Sequence, residues 1–486
     1  MEIKEKLVEA VGGEYFSDNP EILKNYSKDY SLVSPGMPNY VVEPKDTEEL
    51  QKIMRLANEH RIPIVPCSSG VHFYGSTVPK QGGIMLNLNR MNRILEIDVL
   101  NRKAKIEPGV TWKQLQDELK KQDYMVMSPL LPHPKKSVLT SYLEREVLVN
   151  ARYEHGDPLM AMEIVWPDGD TFRTGSASVP GYPDSFSEGS LAIGPGTLDF
   201  YRIIQGSQGT FGVVTWSNIK IEHLPRVNKT FFMPFNRVED AIEPIYRILR
   251  RRIGYECFLM NRLDLAIILS ETLHEDLGKL KEILPPWVMI LILSGTIRRP
   301  EERIEFEEET LIEIKKAEFP DMEILSSLPG VPGLERMLPD MLRQPWKEET
   351  TYWKFCYKGA SQDLFFITTL DKAAESVKAV EKVAGKYGYD INDFGKYLQP
   401  IEYGAGCFCE FEFYYDPKDS KEIRRIGELY EEAARELMNL EAFFTRPYGI
   451  LADIVYEQAA SYTMTLKRLK GVFDPNNIMS PGNLCF

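Results

Sequence analysis

Apolar and polar residues alternate over 62–65 and again over 84–88, where Ile84, Leu86 and Leu88 fall on one side. Between them lies a run of small residues: Cys67, Ser68, Ser69, Gly70, Gly75, Ser76 and Thr77. Apolar alternation bounded by Gly and Pro predicts strand, loop, strand, with Pro66 ending the first run. Small residues let several backbone N–H groups converge, and such a nest suits an anionic pyrophosphate. A turn-rich surface loop has the same composition, so the stretch alone leaves both readings open. Upstream, Val41-Val42 begins a strand that Pro44 ends. Asp46 with Glu49 then forms a capping box for a helix carrying Leu50, Ile53, Met54 and Ala57 on one face. Strand, helix and strand in this length make a compact α/β unit.

The pattern continues with a strand over 105–110 that breaks at Pro108-Gly109, and a helix through Leu119 capped by Thr111. Residues 162–173 predict a hairpin around Asp168-Gly169, and 174–200, rich in Gly, Ser and Pro, predict an irregular excursion. Gly206, Gly209 and Gly212 punctuate the approach to a strand at Val213-Val214-Thr215. From about residue 226 helical periodicity (238–251, 301–316, 371–387, 420–438) is interspersed with strand-like runs (287–293, 407–415). This predicts a second α+β domain. No internal repeat is present.

Composition narrows the function classes. The 58 basic and 72 acidic side chains give a formal charge of -14, against the clustered positive charge of a nucleic-acid binder. The basic run Arg250-Arg251-Arg252 closes a helical pattern and reads as a solvated helix end. No apolar run approaches the roughly 20 residues of a membrane span, and the N-terminal stretch reads as a charged amphipathic helix without a signal-peptide core, so a cytoplasmic location is expected. The six cysteines form no C-x-x-C pair, which gives an internal zinc or iron–sulfur site little support. Any metal clusters receiving electrons would lie on another subunit. G-x-G-x-x-G and the nucleoside-triphosphate loop are both absent.

Several ordered segments carry a resemblance: 66–79; LNRMNRILEID at 88–98; IEPGVT at 106–111; IIQGSQGTFGVV at 203–214; and FDPNNIMSPG at 473–482. Together they resemble the vanillyl-alcohol oxidase and p-cresol methylhydroxylase superfamily of FAD-dependent oxidoreductases. The resemblance implies an α+β fold: a two-subdomain FAD-binding domain over 1–225, an antiparallel-sheet cap over 226–440, and a return to the FAD-binding domain over 441–486. It implies FAD held by Pro66, Ser68, Ser69, Gly70, Val71, His72, Phe73, Gly75, Ser76, Pro108, Gly206, Gly209, Gly212 and Val213. Residues 128–145, glycine-rich in the family, carry prolines and lysines here instead.

The resemblance also assigns roles. Tyr74 matches a tyrosine that holds a substrate phenolate; Arg446, in FFTRPYGILAD, matches the arginine beside it, with Thr445 where the family has tyrosine and Tyr448 nearby. Asp157 matches an active-site aspartate able to take a proton from water adding to a quinone methide. Each also has a plain structural reading: packing tyrosine, ion-paired arginine, Asp-Pro turn. His72, in SSGVHFYG, partly matches the S-G-G-H segment whose histidine is bonded covalently to the flavin in berberine-bridge-type relatives. The cap histidine of vanillyl-alcohol oxidase falls near Cys407-Phe408-Cys409, where the two cysteines face either the flavin or an apolar core. The expected reaction is hydride transfer from a para-substituted phenol, with no metal. The alternatives are a D-lactate or glycolate type 2-hydroxy-acid dehydrogenase, whose cap histidine segments are missing here, and a flavoprotein subunit without its own substrate. An electron-acceptor protein and a homo-oligomer complete the expected partners.

Overall fold

The computed structural model describes residues 3–150, 158–178 and 198–486. A four-stranded sheet has the order β1 (Phe16–Ser17), β2 (Tyr40–Val42), β4 (Ile84–Asn87), β3 (Ile64–Cys67). β4 pairs in parallel with both β2 and β3 and is buried throughout, as a central parallel strand must be. Pro66 does not end its strand. It sits within β3 opposite Leu86, and because β3 is the last strand of this sheet its missing N–H points away from β4 and costs that ladder nothing. The Thr47–His60 helix follows the expected cap: Asp46 accepts from the Glu49 N–H at 2.9 Å. Glu49 reaches back to the N–H of Lys45 at 3.0 Å, one residue before the cap.

A second sheet, wholly antiparallel, has the order β5 (Ile94–Asp98), β6 (Lys103–Ile106), β10 (Val213–Lys220), β8 (Leu159–Val165), β9 (Thr171–Arg173). The expected β8–β9 hairpin and the Thr111-capped Trp112–Lys120 helix are both present. A two-stranded ribbon joins β7 (Tyr124–Met125) to β11 (Glu222–His223).

The third sheet has six antiparallel strands: β12 (Val227–Phe235), β14 (Trp287–Gly295), β13 (Glu256–Asn261), β16 (Phe394–Ile401), β17 (Gly406–Tyr415) and β15 (Ala360–Thr368). Its two faces bury different groups. One packs against the helices Glu239–Arg250, Pro300–Glu318, Leu370–Lys386 and Ser420–Asn439 and takes Cys407, Cys409, Phe411 and Phe413 from β17. The other buries Phe408 and Tyr414 with Tyr397, Trp353 and Tyr448, and brings Phe73 and Tyr74 against them. The sheet therefore presents this face to the small-residue loop.

The C-terminal segment lies along β3. Ile64 donates to Ile478 O at 2.7 Å, and Ser480 N–H donates to Ile64 O at 2.8 Å. Buried Lys470 fastens it by donating to Thr210 O (2.5 Å), Asp474 (2.6 Å) and Met479 O (3.0 Å). Among the described residues, no helix is long and apolar enough to cross a membrane.

Candidate active site

Two neighbouring cavities meet at the small-residue loop. The first, of about 690 Å³, is walled by Pro66, Ser68, His72, Ser76, Pro108, Gly209, Gly212 and Val213, together with Thr140, Glu144 and Gln208. The second, of about 580 Å³, is walled by Phe73, Tyr74, Tyr352, Tyr397 and Phe408, and by Lys136, Glu146, Lys354, Asp363, Glu410 and Arg446. Consecutive residues divide between them: His72 faces the first, Phe73 and Tyr74 the second.

The first cavity fits FAD. Gly209, at φ +73°, lets the loop lie on β3: a Cβ there would meet Pro66 Cγ at 2.7 Å. At Gly212 a Cβ would meet Ile164 Cγ2 at 2.9 Å. Among the described residues, the buried Ser480 hydroxyl, 3.1 Å from where a Gly209 Cβ would stand, and both amide atoms of buried Gln205 have no hydrogen-bond partner. A buried group left unpaired in this way is costly unless a ligand completes it.

Not every expected flavin contact lines this cavity. Gly75 donates its N–H to half-buried Asp29 at 2.6 Å, so that amide is not free for a phosphate. The Ser69 and Gly70 amides turn back onto the Cys67 sulfur. The Ser69 hydroxyl accepts from the Ser137 N–H at 3.1 Å. Val71 is buried, Phe73 belongs to the second cavity, and Gly206 donates to Leu143 O at 2.7 Å. Asp157 lies outside the described residues.

Between the cavities stands a charged cluster. Lys136 Nζ reaches Glu144 at 3.2 Å and also pairs with Glu146. Burial opposes the ammonium, but Glu146 and Glu144 outweigh it and raise its pKa. Burial pushes the Glu144 carboxyl up, whereas at Glu146 the burial effect is overcome by Lys136 and Arg446, and that group is held low. Glu146 is the standing carboxylate of the two. Arg446 lies 3.9 Å from Glu146 and stacks over Phe365 at 4.1 Å, yet among the described residues its Nε and one terminal nitrogen find no hydrogen-bond partner.

Tyr74 and Arg446 do come together, the guanidinium lying 5.6 Å from the ring centroid. Tyr448 stacks on Tyr74 at 5.0 Å and hydrogen-bonds Glu144. Burial holds both phenols well above their ordinary pKa, so both are neutral donors. His72 is 3.4 Å from the Cys67 sulfur; burial first, and then Lys136, lower its pKa to about 3 and keep the imidazole neutral. Cys407 and Cys409 do not face the site but point into the helix-side core, leaving Phe408 at the cavity wall.

Lys136, Glu144, Glu146, Lys354, Asp363 and Glu410 were not singled out from the sequence. The one signal available was the pair Glu410 and Glu412 on the same face of an otherwise apolar strand.

The comparisons agree with this geometry. The chain matches the FAD binding domain family over residues 38–175 and the family of FAD linked oxidases, C-terminal domain, over residues 367–484. Glycolate oxidase subunit GlcD of Bacillus subtilis (strain 168) is 26% identical over 99% of this chain and 96% of its own length. The 4-cresol dehydrogenase (hydroxylating) flavoprotein subunit of Pseudomonas putida is 30% identical over 49% of this chain and 44% of its own. The solved structure of p-cresol methylhydroxylase with substrate bound is alike at a TM-score of 0.84 and 20% identity, covering 100% of this chain and 96% of that one. The two-cavity architecture, the glycine-lined cradle and both family matches lead to one conclusion: the chain is an FAD-linked oxidoreductase, with the FAD binding domain and the C-terminal domain of the FAD linked oxidases on a fold shared with p-cresol methylhydroxylase.

Proposed function

We propose that the protein oxidises a para-substituted phenol, a 4-hydroxybenzylic alcohol or a 4-alkylphenol, in the aromatic cavity beside FAD. The observation that carries this reading is Arg446: a guanidinium 4% exposed, two of its nitrogens without a hydrogen bond among the described residues, at the wall of a cavity built from aromatic rings. An anionic oxygen bound there completes the guanidinium, with Tyr74 and Tyr448 as neutral donors. Holding the phenol as phenolate favours departure of a benzylic hydride. FAD supplies the hydride acceptor, N5. For an alcohol substrate Glu410, held by Lys354 at 2.5 Å, takes the hydroxyl proton. Asp157 keeps its sequence-based role as acceptor of a proton from water. In this reading 1–225 with 441–486 hold FAD and 226–440 cover the substrate; an electron-acceptor protein or oxygen reoxidises the flavin, and the chain works as a homo-oligomer. His72, neutral and beside the flavin cavity, is suited to a covalent flavin link, which would leave the flavin on the polypeptide after acid precipitation and release it in His72→Ala.

A 2-hydroxy acid is the second reading, favoured by the full-length likeness to a glycolate oxidase subunit. Its carboxylate would also complete Arg446. The aromatic walls favour the phenol. Titration of the oxidised enzyme with 4-nitrophenol tests the choice. Binding as the yellow phenolate below the free phenol's pKa, weakened about 10- to 150-fold in Arg446→Met, is expected for a lost hydrogen-bonded charge contact of about 1.5–3 kcal/mol. Binding that is indifferent to Arg446 contradicts it.

A further inference from the structure

Behind Glu410 the buried polar groups continue into the protein. β17 directs Phe408, Glu410, Glu412 and Tyr414 to one face, and Glu412 meets Asp264 from the Arg262–Leu273 helix. Both carboxyls are fully buried, Glu412 at 1% and Asp264 at 0% exposure. The two carboxyls act on each other directly, and among the described residues Asp264 Oδ2 and Glu412 Oε2 are buried with no hydrogen-bond donor. Ionised carboxylates only accept, so a bond between two carboxyls needs a proton. Asp264 Oδ1 is occupied separately, accepting from the Tyr414 hydroxyl at 2.8 Å. The seat is tight: a Cβ on Gly395 would lie 2.0 Å from Asp264 Oδ1.

We propose that Asp264 and Glu412 are a positioning pair whose single shared proton leaves the Lys354 ammonium to Glu410, the carboxylate that takes the substrate's hydroxyl proton. This rests on the reading that an alcohol is oxidised in the aromatic cavity. There, the carbon–hydrogen bond gives its hydride to FAD. The O–H electron pair becomes part of the new carbonyl, and the proton passes to Glu410.

Lys354 Nζ lies 2.5 Å from Glu410, 2.6 Å from Asp363 and 3.8 Å from Glu412. Three carboxyls thus surround one ammonium, with Asp264 behind Glu412, and four buried negative charges beside that one positive charge would be prohibitive. Burial, the largest influence, raises the pKa at Asp264 to about 6 and at Glu412 well above the carboxylate range. Glu410, Asp363, Lys354, Tyr397 and Tyr414 are the titratable groups around the pair from β15, β16, β17 and the Trp353–Cys356 helix, with Arg446 more distant. When the pair loses its proton, Glu412 becomes a third full anion within reach of Lys354, after Glu410 and Asp363, and draws it from Glu410. The rate of flavin reduction then falls on the alkaline side.

The test is the anaerobic rate of flavin reduction against pH in wild type, Glu412→Gln and Asp264→Asn, using whichever substrate bleaches the wild-type flavin. It is accompanied by the infrared spectrum of the substrate-free protein. The proposal expects a carbonyl stretch from a protonated carboxylic acid in wild type that is lost in Glu412→Gln, and a variant whose alkaline limb disappears because its neutral amide mimics the protonated state. Tyr414→Phe removes a donor to the ionised form, and should move the limb to higher pH even if the amide variants fold poorly. Absence of the infrared band, or a rate lowered equally at every pH, would overturn it. The infrared band needs no substrate, so an error in the phenol reading shows separately, as wild-type flavin that phenols do not bleach.

Discussion

Arg446, Tyr74 and His72 were legible because each stands in a short segment whose neighbours identify it. Lys136, Glu144 and Glu146 were not, for their meaning lies in a fold-dependent meeting: a lysine before one short helix and two glutamates after it, brought together with an arginine some 300 residues on. Likewise Gly75, a turn glycine like its neighbours in sequence, turned out to spend its amide on Asp29. Burial at this scale has a pH signature. Folded His72 stays neutral down to about 3, whereas an unfolded histidine titrates near 6.5. Between those values the unfolded chain binds more protons, so His72's contribution is present above about 6.5 and is lost as pH falls toward 3. Thermal melts of the wild type should fall over that window, and His72→Phe should fall less steeply. Parallel curves would show that the buried imidazole is not a source of acid lability.

At the scale of elements, alternation is what the sequence reports most faithfully. β17 was expected from its pattern, and its two faces now have separate tasks: Phe411 in the core shared with helices, Phe408 at the cavity wall. Phe411→Ala should cost about 3–5 kcal/mol of stability while the rate of flavin reduction changes only a few-fold. Phe408→Ala should act mainly on substrate affinity, raising KM. Equal effects of the two on both quantities would contradict the division of faces. Periodicity does not say which face is which, and so Cys407 and Cys409 remained open until the sheet was seen packed. Pro66 was misread for a related reason: a proline ends a central strand, but edge position is a property of the whole sheet.

For the whole molecule, the C-terminal segment is held against β3 and the glycine loop by Lys470, so a segment far away in sequence packs behind the Pro66 and Gly209 wall of the FAD cavity. The lysine that fastens it did not stand out among the 58 basic residues. Lys470→Met leaves Asp474 buried without its cation and should cost about 3–5 kcal/mol. Released FAD fluorescence should then appear at a lower temperature than in wild type; an unchanged release temperature would remove Lys470 from the account. The same organisation sets two cavities side by side, one shaped for FAD and one aromatic with an incompletely bonded arginine, and the central claim is that a phenol fills the second. The most direct measurement is anaerobic mixing of the oxidised holoenzyme with a 4-hydroxybenzyl alcohol, and separately with glycolate or D-lactate, while following the flavin absorbance. The account predicts rapid bleaching by the phenol and loss of that bleaching in Arg446→Met. Bleaching by the hydroxy acids alone would contradict it.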